Sequence, residues 1–113
     1  MRLRLRRDFS RVYAARAAKS VGPLRVYAAP NHEHELRLGM SIARRVGTAV
    51  RRHRIRRLLR EAFRLSRHQW PTGYDVVVVV KPHEPASLAE YQRLLGEAIR
   101  SLHEHWQGRR WPQ

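Results

Sequence analysis

Residues 44–67 read RRVGTAVRRHRIRRLLREAFRLSR, in which ten of twenty-four residues are arginine and one, Glu61, is acidic. Guanidinium groups grip phosphate through paired hydrogen bonds and stack on nucleobases, so this run is chemistry for holding a polyanion rather than for breaking a bond. Residues suited to bond cleavage are sparse. His32 and His34, with Glu33 and Glu35, lie in NHEHE, where a polar hairpin tip is a better reading than half a metal site. His103 and His105 stand two apart on an expected helix and so face different ways. There is no cysteine, hence no disulfide or thiolate metal site. Nine scattered acids supply no evident two-metal nuclease cluster.

The same stretch also carries apolar residues at a helical step. At about 100° per residue, Ile55, Leu58, Leu59, Ala62 and Phe63 fall in one sector. His53, Arg57, Arg60 and Arg64 fall opposite, Arg54, Arg56 and Arg67 flank them, and Arg52 sits nearer the apolar border. A solvated basic face is the plain alternative. It fits poorly, because Arg52–Arg56, Arg56–Arg60 and Arg60–Arg64 are like charges at i,i+4, each costing a few tenths of a kcal/mol. Arg51 and Arg52 also sit at the positive end of the helix dipole. A polyphosphate ligand relieves both penalties.

The charge balance agrees. The net charge is +15, and residues 1–67 hold 19 of the 24 basic residues but only 4 of the 9 acids, which accounts for the entire excess. Such a block points to nucleic acid first and an anionic membrane surface second. Twenty-two of the basic residues are arginine; a GC-rich coding bias produces the same preference, so that choice carries little weight. RNA is favoured over DNA, since no zinc-finger spacing or helix-turn-helix partner is evident and aromatic residues among basic ones can stack on unpaired bases. The aromatic candidates are Phe9, Tyr13 and Tyr27, although spacing alone fits Phe9 and Tyr13 better to core packing.

The elements that must position these residues follow from pattern. The length suits one domain over residues 1–113 with a modest core. Asp8 is placed to cap a helix from Phe9 to about Ala17. Residues 19–30 read as extended, interrupted at Gly22-Pro23, and LRLGMSIA (36–43) alternates as a strand with Leu36, Leu38, Met40 and Ile42 on one face. Thr48 caps a helix over residues 49–67. YDVVVVVK (74–81) is a strand covered on both faces, with Asp75 in a structural role. Ser87 and Glu90 spell a capping box for a last helix whose stripe includes Tyr91, Leu94, Leu95, Ile99, Leu102 and Trp106. The opening MRLRLRRDF lacks the apolar core of a signal peptide and Val76–Val80 is too short to cross a bilayer, so a cytoplasmic location is expected.

LGMSIARRVGTAVRRHRIRRLLREAFR closely resembles the signature of the bacterial ribonuclease P protein subunit: a strand ending in Ser, a basic pair, Val-Gly, a capping residue, Ala-Val, then Arg-Asn-Arg and further basic residues. DFSRVY, LRVYAAP and GYDVVVVVKP extend the likeness in order along nearly the whole chain. The resemblance implies an α+β fold, a two-layer α/β sandwich of order α-β-β-β-α-β-α with a left-handed β-α-β crossover carrying the basic helix. It implies that Arg44, Arg45, Arg52, His53, Arg54, Arg56, Arg57 and Arg60 face the RNase P RNA subunit. Phe9, Tyr13 and Tyr27 would then line a cleft for the single-stranded 5′ leader of precursor tRNA. It further implies cleavage by the RNA with magnesium that the RNA mainly holds, no metal held by the protein alone, and an isolated protein without activity. His53 and Thr48 stand where the family has Asn; Thr still caps a helix, but imidazole cannot reproduce an amide's contacts. The competing readings are a structural ribosomal-type protein, a stand-alone nuclease and a DNA-compacting protein.

Overall fold

A computed structural model describes residues 6–110; residues 1–5 and 111–113, Trp111 among them, lie outside it. The elements are α1 (Arg6–Ala14), β1 (Ala18–Val21), β2 (Leu24–Pro30), β3 (Leu36–Ile42), α2 (Ala49–Ser66), β4 (Tyr74–Val80) and α3 (Leu88–Arg110). The strands form one sheet of order β1-β2-β4-β3. β1 and β2 are an antiparallel hairpin, β2 pairs antiparallel with β4, and β3 lies parallel to β4, joined to it through α2. This matches the expected mixed fold and element order.

β4 is central, which explains its unbroken β-branched run. Val76 and Val78 join Leu24, Val26, Leu36 and Leu38 under α2 and α3, whose Ile55, Leu59, Phe63, Tyr91, Leu95 and Ile99 complete the main core. The other face of β4 meets α1, where Val12, Ala29 and Val77 form a smaller cluster. A strand with helices on both faces must be apolar on both. Ser66 and Gln92 link the two larger helices by a hydrogen bond of 2.8 Å.

Two local expectations need correction. The first helix is Arg6–Ala14, so Asp8 sits inside its first turn rather than capping it. The helix stops because Arg16 adopts a left-handed φ of 58° and Ala18 must enter β1 opposite Tyr27. At α3, Ser87 Oγ accepts from the Glu90 N–H at 3.1 Å, but the Glu90 carboxylate bonds Arg93 at 2.7 and 2.9 Å instead of completing the capping box.

Candidate RNA-binding surfaces

Val46 is buried in a 3₁₀ turn over Arg44–Val46, which leaves Arg44 and Arg45 exposed at the entrance to α2. The Thr48 hydroxyl accepts from the Arg51 N–H at 3.1 Å and starts the helix. Along α2, Ile55, Leu59, Ala62 and Phe63 are buried while His53, Arg54, Arg57 and Arg64 are exposed. Leu58 is half-buried at the border. Arg52, Arg56 and Arg60, one i,i+4 row, are half-buried, and the Arg60 Nε is buried, so Arg60 is less open than its place on the helical wheel opposite the core implies. Arg52 also donates from Nε to the Gly47 carbonyl at 3.2 Å and thereby secures the loop before the helix.

Among the described residues, the ion pairs of α2 are Arg51 with Glu84 and Arg64 with Glu61. The first is exposed on both sides and worth little. In the second, the hydrogen bond from Arg64 holds the Glu61 carboxyl below its usual range, so the one acid of the stretch is ionised and already engaged. Arg44, Arg45, Arg54, Arg56 and Arg57 make no ion pair with any described carboxylate. A shallow groove lined by Val50, His53, Arg54, Arg57, Leu58 and Glu61 follows the exposed side of the helix.

The three aromatic candidates converge on the opposite face of the sheet. Tyr13 stands edge-on to Tyr27 with centroids 4.9 Å apart, and Phe9 is edge-on to Tyr13 at 6.5 Å. All three are half-buried against Val12, Ala29 and Val77. They are thus neither sealed core nor free surface. Beyond them, the register places Ser20, Arg25, Val79 and Ser41 in one row across all four strands on this same face. Ser20, Arg25 and Ser41 are exposed and Val79 is half-buried. The row therefore leads from the aromatic trio toward Arg44 and Arg45, which follow β3.

Asp75 fixes α1 to the sheet. Its carboxylate is fully buried and accepts from Arg11 on α1, from Arg37 at 2.6 and 2.7 Å, and from Asn31 at 2.9 Å. The bond to Asp75 raises the Arg37 pKa above its ordinary value, so its charge is permanent. Arg11 lies between Phe9 and Tyr13 in the sequence, and its anchorage sets where those rings meet Tyr27. Within the described residues, no three His, Asp or Glu side chains converge as a metal site, and no helix is long and apolar enough to cross a membrane. His32 and His34 sit beside Trp106 in a pocket at the far end of the sheet, where the Trp106 indole N–H donates to the Ala28 carbonyl at 2.9 Å.

This fold, with α2 crossing between the parallel strands β3 and β4, has known counterparts. The family model described as Ribonuclease P matches residues 1–105. The chain belongs to the ribonuclease P protein family. It is 35% identical over 101 residues to the ribonuclease P protein component of Desulfovibrio desulfuricans, covering 88% of this chain and 78% of that one. With the component of a Roseiflexus species it shares 36% identity over 100 residues, covering 87% and 82%. The RNase P protein from Thermotoga maritima superposes with a TM-score of 0.75 at 30% identity, covering 84% of this chain and 91% of that one. A Staphylococcus aureus RNase P protein mutant described as having defective mRNA degradation activity gives 0.78 at 25% identity, with 88% and 86% covered. An RNase P protein component is an RNA-binding part of a ribonuclease ribonucleoprotein that acts in tRNA processing, and this chain is one.

Proposed function

We propose that the exposed arginines of α2, with Arg44 and Arg45, bind the RNase P RNA subunit, and that the Phe9–Tyr13–Tyr27 cleft takes the 5′ leader of precursor tRNA. The observation that carries this reading is the set of α2 and loop guanidiniums that no described carboxylate neutralises. Two RNAs brought together repel through their phosphates; a fixed cationic helix placed between them lowers that cost without choosing sequence. Arg54 and Arg57 are exposed and free to make such contacts, whereas Arg52 is partly committed to the Gly47 carbonyl. Half-buried rings can stack on splayed bases, which favours single-stranded leader over the folded body of mature tRNA.

We assign hydrolysis, with its magnesium, to the RNA. The protein contributes binding and charge neutralisation, in the cytoplasm. The test is reconstitution with RNase P RNA of the same organism, followed by mapping of the 5′ end of a processed precursor tRNA. Accurate maturation by the complex, at lower magnesium than the RNA alone requires, is expected. Because a Staphylococcus aureus RNase P protein mutant is described by its defective mRNA degradation activity, a protein-only control is included. Cleavage of precursor tRNA by the protein without RNA would overturn the assignment.

A further inference from the structure

Tyr27 is enclosed on more than one side. Tyr13 approaches its ring edge-on at 4.9 Å, and the Arg25 guanidinium lies 5.4 Å from the ring centroid. Arg25 Nε–H donates to the Tyr27 hydroxyl at 3.1 Å, and Arg25 Nη1–H donates to Ser20 Oγ at 3.0 Å. Both contacts follow from register: Ser20 is directly opposite Arg25 on β1, and Tyr27 is two residues along β2 on the same face.

Both acceptors are neutral hydroxyls, so the contacts orient the guanidinium without cancelling its charge. No described carboxylate pairs with it. A guanidinium has five N–H groups, and the two bonds to Tyr27 and Ser20 leave three without a partner among the described residues. An exposed, oriented, uncompensated arginine beside stacking rings is suited to a single phosphodiester, which it can hold through two parallel bonds. The side chain's flexibility is already restrained in the free protein, so less ordering remains for the ligand to impose.

We propose that Arg25, oriented by Ser20 and Tyr27, is a binding residue for one backbone phosphate of the single-stranded leader, fixing the register of the bases relative to Phe9 and Tyr13. This rests on the leader-cleft reading and adds to it a phosphate subsite distinct from the α2 arginines. It also assigns Tyr27 a second role: its hydroxyl aims the arginine, in addition to any contact its ring makes.

The experiment uses the reconstituted holoenzyme and precursor tRNAs whose leader phosphodiesters are replaced one at a time by neutral methylphosphonates. Arg25→Gln, on an exposed position, is the variant. For the unmodified substrate, binding should weaken about tenfold and the salt slope should flatten by about 0.7, the value for one phosphate on a single strand. One methylphosphonate position should weaken wild-type binding by a similar factor and leave Arg25→Gln unaffected. Mature tRNA should bind both proteins equally. Tyr27→Phe, which keeps the ring but not the hydroxyl, should show an intermediate loss at that same position. If Arg25→Gln responds to every methylphosphonate as the wild type does, Arg25 holds no leader phosphate and the proposal fails, while the leader cleft stands. If the wild-type holoenzyme binds precursor and mature tRNA alike, the cleft reading itself is lost.

Discussion

Replacing Asp75 by Asn tests the anchorage on which the placing of the aromatic trio depends. The carboxylate is fully buried and accepts from Arg11, Arg37 and Asn31. An amide presents N–H groups where one carboxylate oxygen accepted, so a donor there meets donors, and two charge-assisted bonds are weakened or broken. At about 1.5–3 kcal/mol each these would sum to roughly 3–6 kcal/mol. The Arg11 and Arg37 side chains are 42% and 27% exposed, so both can recover water, and the sum must be discounted. About 2–4 kcal/mol is the resulting expectation, a large share of the roughly 5–15 kcal/mol that holds a domain together. For a chain of this length that lowers Tm by about 10 °C. Thermal unfolding followed by circular dichroism measures it, with urea unfolding giving the free energy. Arg37→Gln should cost less in the Asp75→Asn background than in the wild type, since the partner is already gone. A Tm within about 2 °C of wild type, or additive losses in the double variant, refutes the reasoning.

Two further substitutions give separate readouts. Tyr91 is fully buried; its hydroxyl accepts from the Ala86 N–H at 3.1 Å and donates to His83 Nε2 at 2.7 Å, because His83 Nδ1 faces the Lys81 carbonyl and must carry the proton. Tyr91→Phe should therefore cost about 1–3 kcal/mol in urea unfolding, and a loss below about 0.5 would show these groups satisfied elsewhere. Phe9→Ala should weaken holoenzyme binding of precursor tRNA by about 5- to 160-fold, the range for removal of one base stack, and leave mature tRNA unchanged. Equal losses on the two substrates would remove Phe9 from the leader site.

The long elements were readable because their signals are local. A continuous valine run, an 18-residue amphipathic pattern behind Thr48 and the apolar stripe behind Ser87 each specify one element without reference to the others. The end of α1 was not, since Arg16 takes a left-handed conformation that no local residue type announces; the pairing of Ala18 with Tyr27 imposes it. The Glu90 half of the capping box lost to Arg93, a competitor three residues away with opposite charge. For the site, composition revealed the arginine face, but the half-burial of Arg52, Arg56 and Arg60 depends on what packs beside α2. The meeting of Phe9, Tyr13 and Tyr27 joins a helix to a strand and is tertiary; only the family resemblance anticipated it. The Ser20–Arg25 pair needed the hairpin register, and the Asp75 cluster needed three separate segments to converge.

Most directly, the role of α2 is decided by titrating RNase P RNA with wild-type protein and with an Arg54→Gln, Arg56→Gln, Arg57→Gln triple variant at several salt concentrations. All three arginines lack a described carboxylate partner, so their removal should leave the fold intact. Affinity should fall at low salt, and the slope of log K against log salt should flatten by about two to three, near 0.7–0.9 for each phosphate no longer held. A folded triple variant with wild-type affinity and slope would mean that this cationic face meets only water.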